Sequence, residues 1–455
     1  MTIARRLAEF LIDTSVADLP AQTIDHAAMV IASTLASAAC GKDIGSAAIV
    51  RVLAHERGGR EDASVWFDRG PKLPIADAAQ VNAVMSDAAA SDDSDLRAIV
   101  HCGTPLTATS LAIAERSGAG GEEILAAIVL GYEAAGRIGD GVTPGFRTKG
   151  FHGCLVAIFA AAVAAGRLLH LDANQMTRTI ALSATSIGGL AAAANTSVAR
   201  EYHAGLAVKL GIEAALAAQR GFAVEEAILE TQGGFFDAYG GRDPAEAGEA
   251  VTAGFGNSWD IVTDMAVKLV PGGHPYHALG EAAANAAREG NVRPGEVAQI
   301  VVSRPGMSKF SEPLHPTDLI GMAHSPAYFT AAGVADHEFS WVHASPQKIA
   351  DPTIHRLIDK ITVGAPPSDP ERRYRQGATV TVRTTDGRSF TSTVYAPKGS
   401  GLLGIDWRDI DAKYRTLMPN SGLPVDRIEA SLDVIHRFRH ATAVTGLANL
   451  LKPPA

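Results

Sequence analysis

The stretch GFHGCLVAIFAAAVAAG, residues 150–166, constrains the fold more than any other. It sets a histidine, His152, at the mouth of a segment built almost wholly of small apolar side chains. Alanine has the best intrinsic helix propensity, and its short side chain lets neighbouring helices approach the backbone closely. A helix apolar on every side is an interior helix, so this segment predicts a bundle packed around it. From Pro20 to about Asp264 the same texture recurs, with apolar residues every three or four positions and short Gly, Pro and Asp breaks between segments. These segments predict one large all-helical domain.

At Met265 the texture changes. VAQIVVSRPGM and GATVTVRTTDGRSFTSTVYAP alternate β-branched and polar residues as half-buried strands do, the second folding as a hairpin on Asp386-Gly387. HPYHALGEAAANAAREG and SPAYFTAAGVAD read as helices, and DPTIHRLIDKITV as a short helix running into a strand. Residues 268–398 are therefore expected to form a smaller α+β lid domain. After Gly399 the helical texture returns in DWRDIDAKYRTLM and DRIEASLDVIHRF, which predicts that 399–455 pack back on 1–267. The expected fold class is mainly α: a large, discontinuous all-α domain with an α+β lid, and a ligand in the crevice between them.

A net charge of -9 over 455 residues, with no basic stripe to neutralise phosphates, argues against a nucleic-acid partner. Cys40, Cys102 and Cys154 stand far apart without paired spacing, so neither a disulfide framework nor a metal site is expected, and a reducing compartment is. In MTIARRLAEFLIDTSVADLP, Glu9 and Asp13 interrupt the apolar run; a first helix ending near Asp18 to Pro20 is expected, not a signal peptide. The alanine-rich run Cys154–Ala165 falls short of the ~20 residues a bilayer demands, so no membrane span is expected and the location is expected to be cytoplasmic.

Four histidines stand in distinctive settings. His101 lies where the acidic run ASDDSDL leads into a helix, His152 opens the alanine-rich helix, His203 precedes another, and His277 sits in KLVPGGHPYHAL. His101, His152 and His277, but not His203, are expected to converge from helix N-termini, whose free N–H groups suit a carboxylate. Histidine exchanges a proton at neutral pH, which C–H chemistry beside a carboxylate requires, and the carbanion formed there needs cations or donors. Arg147, Lys149, Arg200 and Lys268 are the cations nearest these histidines in sequence. Nucleotide loops, zincin motifs and nucleophile elbows are absent. His274 and His277 share a helix face but lack further ligands at metal-site spacing, and Asp92, Asp93 and Asp95 read as a solvated loop.

At these residues the sequence resembles the MmgE/PrpD family, which includes 2-methylcitrate dehydratases, cis-aconitate decarboxylases and iminodisuccinate epimerase. SDDSDLRAIVHCG is similar to the family's DxDDT segment followed by HPG, KGFHGCLVAIFAAAVAAG to its GFHPT helix, and REYHAGLAVKLGIEAALAAQRGF to its K-[RP]-L-H-x-G-x-A segment. KLVPGGHPYHAL resembles its KPYP segment with a later histidine, and SPAYFTAAGVAD and WRDIDAKYRTL extend the likeness to nearly the whole chain. The resemblance implies a helical domain with an α+β lid, a homodimer and no cofactor. It places His101, His152 and His277 on family active-site histidines and Ser94 on the threonine of DxDDT. Two positions depart from the pattern: Ala90 stands where DxDDT has its first aspartate, and Arg200 where the family has lysine.

The activity so expected is abstraction of a proton beside a carboxylate of a small di- or tricarboxylic acid, ending in dehydration or epimerisation. His101 or His277 acts as base, and the other, with Lys149, supplies a proton or steadies the enediolate. Arg200, Ser94 and His152 hold carboxylates, and Arg147 and Lys268 add positive charge. The alternative is a carboxylate-binding protein that kept the fold and lost the chemistry, since arginine does not exchange protons at neutral pH.

Overall fold

The computed structural model describes residues 1–186 and 188–454. The chain is mainly helical with a smaller α+β portion, and it divides into two units: Met1–Val267 with Ile405–Ala455, and Lys268–Gly404. Residues 399–404, expected with the returning helices, thus belong to the second unit.

In the first unit six long helices surround one core: α1 (Ala21–Gly41), α2 (Ile75–Ala88), α3 (Gly103–Ser117), α4 (Gly121–Val142), α5 (Cys154–Leu168) and α6 (Ala199–Gln219). The alanine-rich α5 is the innermost, with every residue but Arg167 buried. Arg167 uses its guanidinium at the surface, donating to the Leu11 and Ile12 carbonyl oxygens at 2.9 Å at the end of the first helix. Small residues set how closely α5 and α6 meet. A Cβ on Gly211 of α6 would stand 2.8 Å from the Ile158 carbonyl oxygen and 2.9 Å from the Ala162 nitrogen.

Three local expectations are corrected. The first helix, Ile3–Asp13, stops short of Asp18, and only a 3₁₀ turn, Val16–Asp18, follows it. The 21-residue α1 is long and apolar enough to cross a membrane, contrary to the sequence reading; it is mostly buried, packed against α2, α4 and the C-terminal helix α9 (Trp407–Leu417), as a core helix is. The acidic run is no solvated loop. Asp93–Asp95 form strand β1, buried throughout, which pairs antiparallel with β2 (Met265–Val267) in the register Asp93↔Val267 and Asp95↔Met265. Lys413 of α9 binds beside it, its Nζ donating to the Ser91 carbonyl oxygen and, at 2.7 Å, to Ser33 Oγ.

The second unit carries α7 (His274–Glu289) and α8 (Pro326–Asp336), which pack on each other, and a four-stranded sheet. Its strands are β3 (Val297–Ser303), β4 (Ile361–Val363), β5 (Ala378–Thr384) and β6 (Ser389–Val394), in the order β4-β3-β5-β6. Only β3 and β4 run parallel, as the helical crossover between them demands. β5 buries Ala378, Val380, Val382 and Thr384 alternately, the pattern its sequence predicts. The hairpin turns at Gly387, whose φ of 89° suits glycine.

Candidate active site

The paired strands explain how His101 comes to sit against an acid. After β1 the chain bends back on itself, Asp95 N donating to the Val100 carbonyl oxygen at 2.8 Å, and this returns His101 to the strand it has just left. His101 Nδ1 lies 2.6 Å from the Asp93 carbonyl oxygen, 3.1 Å from Asp92 Oδ2 and 3.4 Å from Ser94 Oγ. A carbonyl oxygen can only accept, so Nδ1 carries a proton, and in the neutral ring Nε2 is the atom with the lone pair. The Asp92 carboxylate behind the ring is fully buried, whereas the imidazole is partly exposed. A carboxylate at Nδ1 stabilises the imidazolium that forms when Nε2 takes a proton. The neighbouring Asp93 accepts from Gly103 N at 2.8 Å and Tyr132 Oη at 3.1 Å; burial and the charge of Asp92 push its carboxyl up to about 6.

His152 precedes α5 and is anchored through its own N–H to the Gly189 carbonyl oxygen at 2.8 Å. Burial, then the nearby His101 and His203 rings, holds it well below the usual histidine range, so the ring is neutral at pH 7. Cys154 N donates to its Nδ1 at 3.4 Å, which leaves Nε2 as the N–H. His101 and His152 line one cavity with Asp87, Thr104, Cys154 and Ala204. Its volume of about 20 Å³ is little more than one water requires, so a larger ligand enters only as the cavity widens. The starts of α3 and α5 both reach it, and their partial positive charge favours an anion there.

The candidate cations of the first unit are already committed to protein partners. Arg200, expected to hold a substrate carboxylate, is buried and committed to Asp87: Nε is 2.8 Å from Oδ2, and Nη2 is 2.7 Å from the backbone oxygen. Lys149 is exposed and donates to the carbonyl oxygens of Asp237 and Ala238 at 3.1 and 3.0 Å, so its ammonium is a helix-end partner. Arg147 donates to the Ala98 and Ile99 carbonyl oxygens at 2.6 and 2.8 Å, fixing the turn that precedes His101. Ser94 is buried on β1 beside His101. Lys268 and His277 belong to the second unit, where both are buried. His277 Nε2 donates to the Gly272 carbonyl oxygen at 3.2 Å, and its ring lines a cavity of about 440 Å³ with Glu281, Arg288, Ser340 and Lys398.

Three residues at this site escaped the sequence reading. Asp92 was read as solvated, and His203 was set apart from the other histidines although its ring lies 5.5 Å from that of His152. His203 lies inside α6, near its start, and not before it. Asp87 stands three residues before Ala90, about one helical turn back, and a search for a displaced carboxylate at that spacing would have found it.

Comparison with known proteins gives the family. Residues 5–247 match the MmgE/PrpD N-terminal domain and residues 271–435 the MmgE/PrpD C-terminal domain. A cis-aconitate decarboxylase of Aspergillus terreus is 27% identical over 413 residues, covering 85% of this chain and 83% of the relative. The cis-aconitate decarboxylases of Mus musculus and Homo sapiens are 25% and 24% identical, each covering 86% of this chain and 82% of their own length. With both domains matched across most of its length, the chain belongs to the MmgE/PrpD family.

Proposed function

We propose that this protein is a lyase of small di- or tricarboxylic acids in which His101 moves a proton at the carbon next to a carboxylate. The observation that carries this reading is the imidazole of His101, backed at Nδ1 by a buried carboxylate and free at Nε2, beside a second, neutral histidine. In the direction of abstraction Nε2 takes the proton and Asp92 stabilises the resulting cation. His152 donates its Nε2 proton to the substrate carboxylate, a bond that strengthens as charge moves onto that oxygen. The starts of α3 and α5 favour the same charge. What leaves names the reaction: after abstraction, hydroxide leaves as water in a dehydration, or the proton returns to the opposite face in an epimerisation; in a decarboxylation no proton is taken first, carbon dioxide leaves its bonding electrons on carbon, and protonated His101 gives that carbon one proton. The relatives' decarboxylase names support the substrate class.

A second reading, a carboxylate-binding protein without turnover, is favoured by the Asp87–Arg200 pair, which neutralises the cation expected to serve the substrate. One experiment separates them. cis-Aconitate, 2-methylcitrate and iminodisuccinate are incubated with the enzyme in heavy water and followed by proton NMR. The proposal expects product or deuterium at the carbon beside a carboxylate, falling about 10²- to 10⁴-fold in His101→Asn, the usual worth of a general acid or base. Binding by calorimetry with neither exchange nor product from any of them would replace the enzyme reading with the binding one.

A further inference from the structure

We propose that His152, Cys154 and His203 form a site for a borderline-soft divalent cation, Zn²⁺ or a metal of similar preference, with a fourth coordination position left open. Sequence spacing argued against a metal because paired ligand spacing along the chain is lacking. Here two come from the entry to α5 and the third from α6, brought alongside by helix packing.

The ligand atoms of the three side chains lie within 4.8 Å of one another. A tetrahedral set of two imidazoles and a thiolate, with metal bonds of about 2.0–2.3 Å, needs about 3.3–3.8 Å between them, a difference that small side-chain rotations close. His203 Nδ1 is buried and has no hydrogen-bond partner among the described residues, an arrangement that costs free energy unless something binds there. The backbone is bare on that side. A Cβ on Gly189 would stand 2.5 Å from Cys154 Sγ and 3.1 Å from His203 Nδ1, so any side chain at this position would fill the space between the two donors.

The donor set suits such a metal and excludes harder ones. Thiolate and imidazole select zinc and its neighbours, whereas magnesium and calcium ask for oxygen ligands. Both rings coordinate as neutral imidazoles, and His152, with its proton on Nε2, offers Nδ1 in place of the 3.4 Å bond from Cys154 N. Cysteine coordinates as the thiolate, and a thiol is protonated at pH 7, so coordination gives about one proton to solvent per metal bound. Three protein ligands with one open position are the arrangement of catalytic rather than closed structural sites. His152 and Cys154 also line the cavity of the candidate active site.

The test uses the full chain, reduced and stripped of metal, titrated with Co²⁺ and then Zn²⁺. The expected result is one Co²⁺ per chain, a thiolate-to-cobalt charge-transfer band, displacement by Zn²⁺, and release of one proton per Zn²⁺ in calorimetry repeated in two buffers. Cys154→Ser should remove the band, and His203→Gln should weaken binding at least about tenfold, with circular dichroism confirming that both fold. The exposed cluster His315, His355 and Asp359 is the internal rival. Binding that survives Cys154→Ser and disappears in His315→Ala overturns the proposal. So does a wild-type titration with no charge-transfer band or no proton release, a result that needs no variant. None of these readouts depends on turnover, so this site and the proposed reaction fail or stand separately.

Discussion

At the scale of single residues, the site is governed by which partner each charged group has already taken. His101 is usable as a base because two acceptors, Asp92 Oδ2 and the Asp93 carbonyl oxygen, both hold its Nδ1 proton. Asp92→Asn should therefore cost less exchange activity than His101→Asn, since the Asp93 carbonyl still fixes the tautomer. Equal losses, measured by the same deuterium exchange, would mean that the Asp92 charge itself is indispensable. Arg200 obeys the opposite logic. Buried against Asp87, it is structural, and Arg200→Met leaves a carboxylate unpaired in the interior, which should lower stability to urea by about 3–5 kcal/mol. The double variant with Asp87→Asn should recover most of that loss, because no buried charge is then left alone.

At the scale of elements, β1 is the device that makes an acidic run part of the core. Asp93 and Asp95 are fully buried, and burial raises both carboxyls to about 6. A carboxyl raised in the folded protein binds its proton more tightly there than in the unfolded chain, where its value is near 3.8. Its stabilising contribution is complete below about pH 3.8 and is lost as the pH climbs through about 6. Asp95→Asn keeps the acceptor that receives Arg97 N and Ala98 N at 2.9 and 3.1 Å, so it should flatten this fall without unmaking the turn. Urea midpoints of the two proteins between about pH 4 and about pH 7 check it, read as a difference because His152, depressed by burial, works the other way as the pH falls. Helix contacts act at this scale too: the close approach at Gly211 brings α6 onto α5 and with it His203 to His152.

At the scale of the whole molecule, the first unit is closed by segments far apart in sequence. β1 finds its partner in residues 265–267, and the C-terminal α9 lies on α1 and sends Lys413 to Ser33 and Ser91, next to the acid that backs His101. Lys413→Met would keep the bulk and strand those two oxygens, so a loss of about 1–3 kcal/mol in urea unfolding is expected. A stability unchanged from the wild type would show that the ammonium is not needed where the C-terminal segment returns.

The amino-acid sequence determined by itself the helical class, the change to strands after Met265, the hairpin at Gly387 and the family, because periodicity, turn chemistry and motifs are local properties of the chain. It also singled out His101 and His152, each marked by a motif, and the two line one cavity. Partnership was decided only in three dimensions. That Arg200 is consumed by Asp87, that Lys149 caps a helix end, that Asp92 lies buried behind His101 and that His203 meets Cys154 all depend on contacts between residues distant along the chain. A charged side chain's chemistry is set by what desolvates and pairs it, and only packing supplies those neighbours.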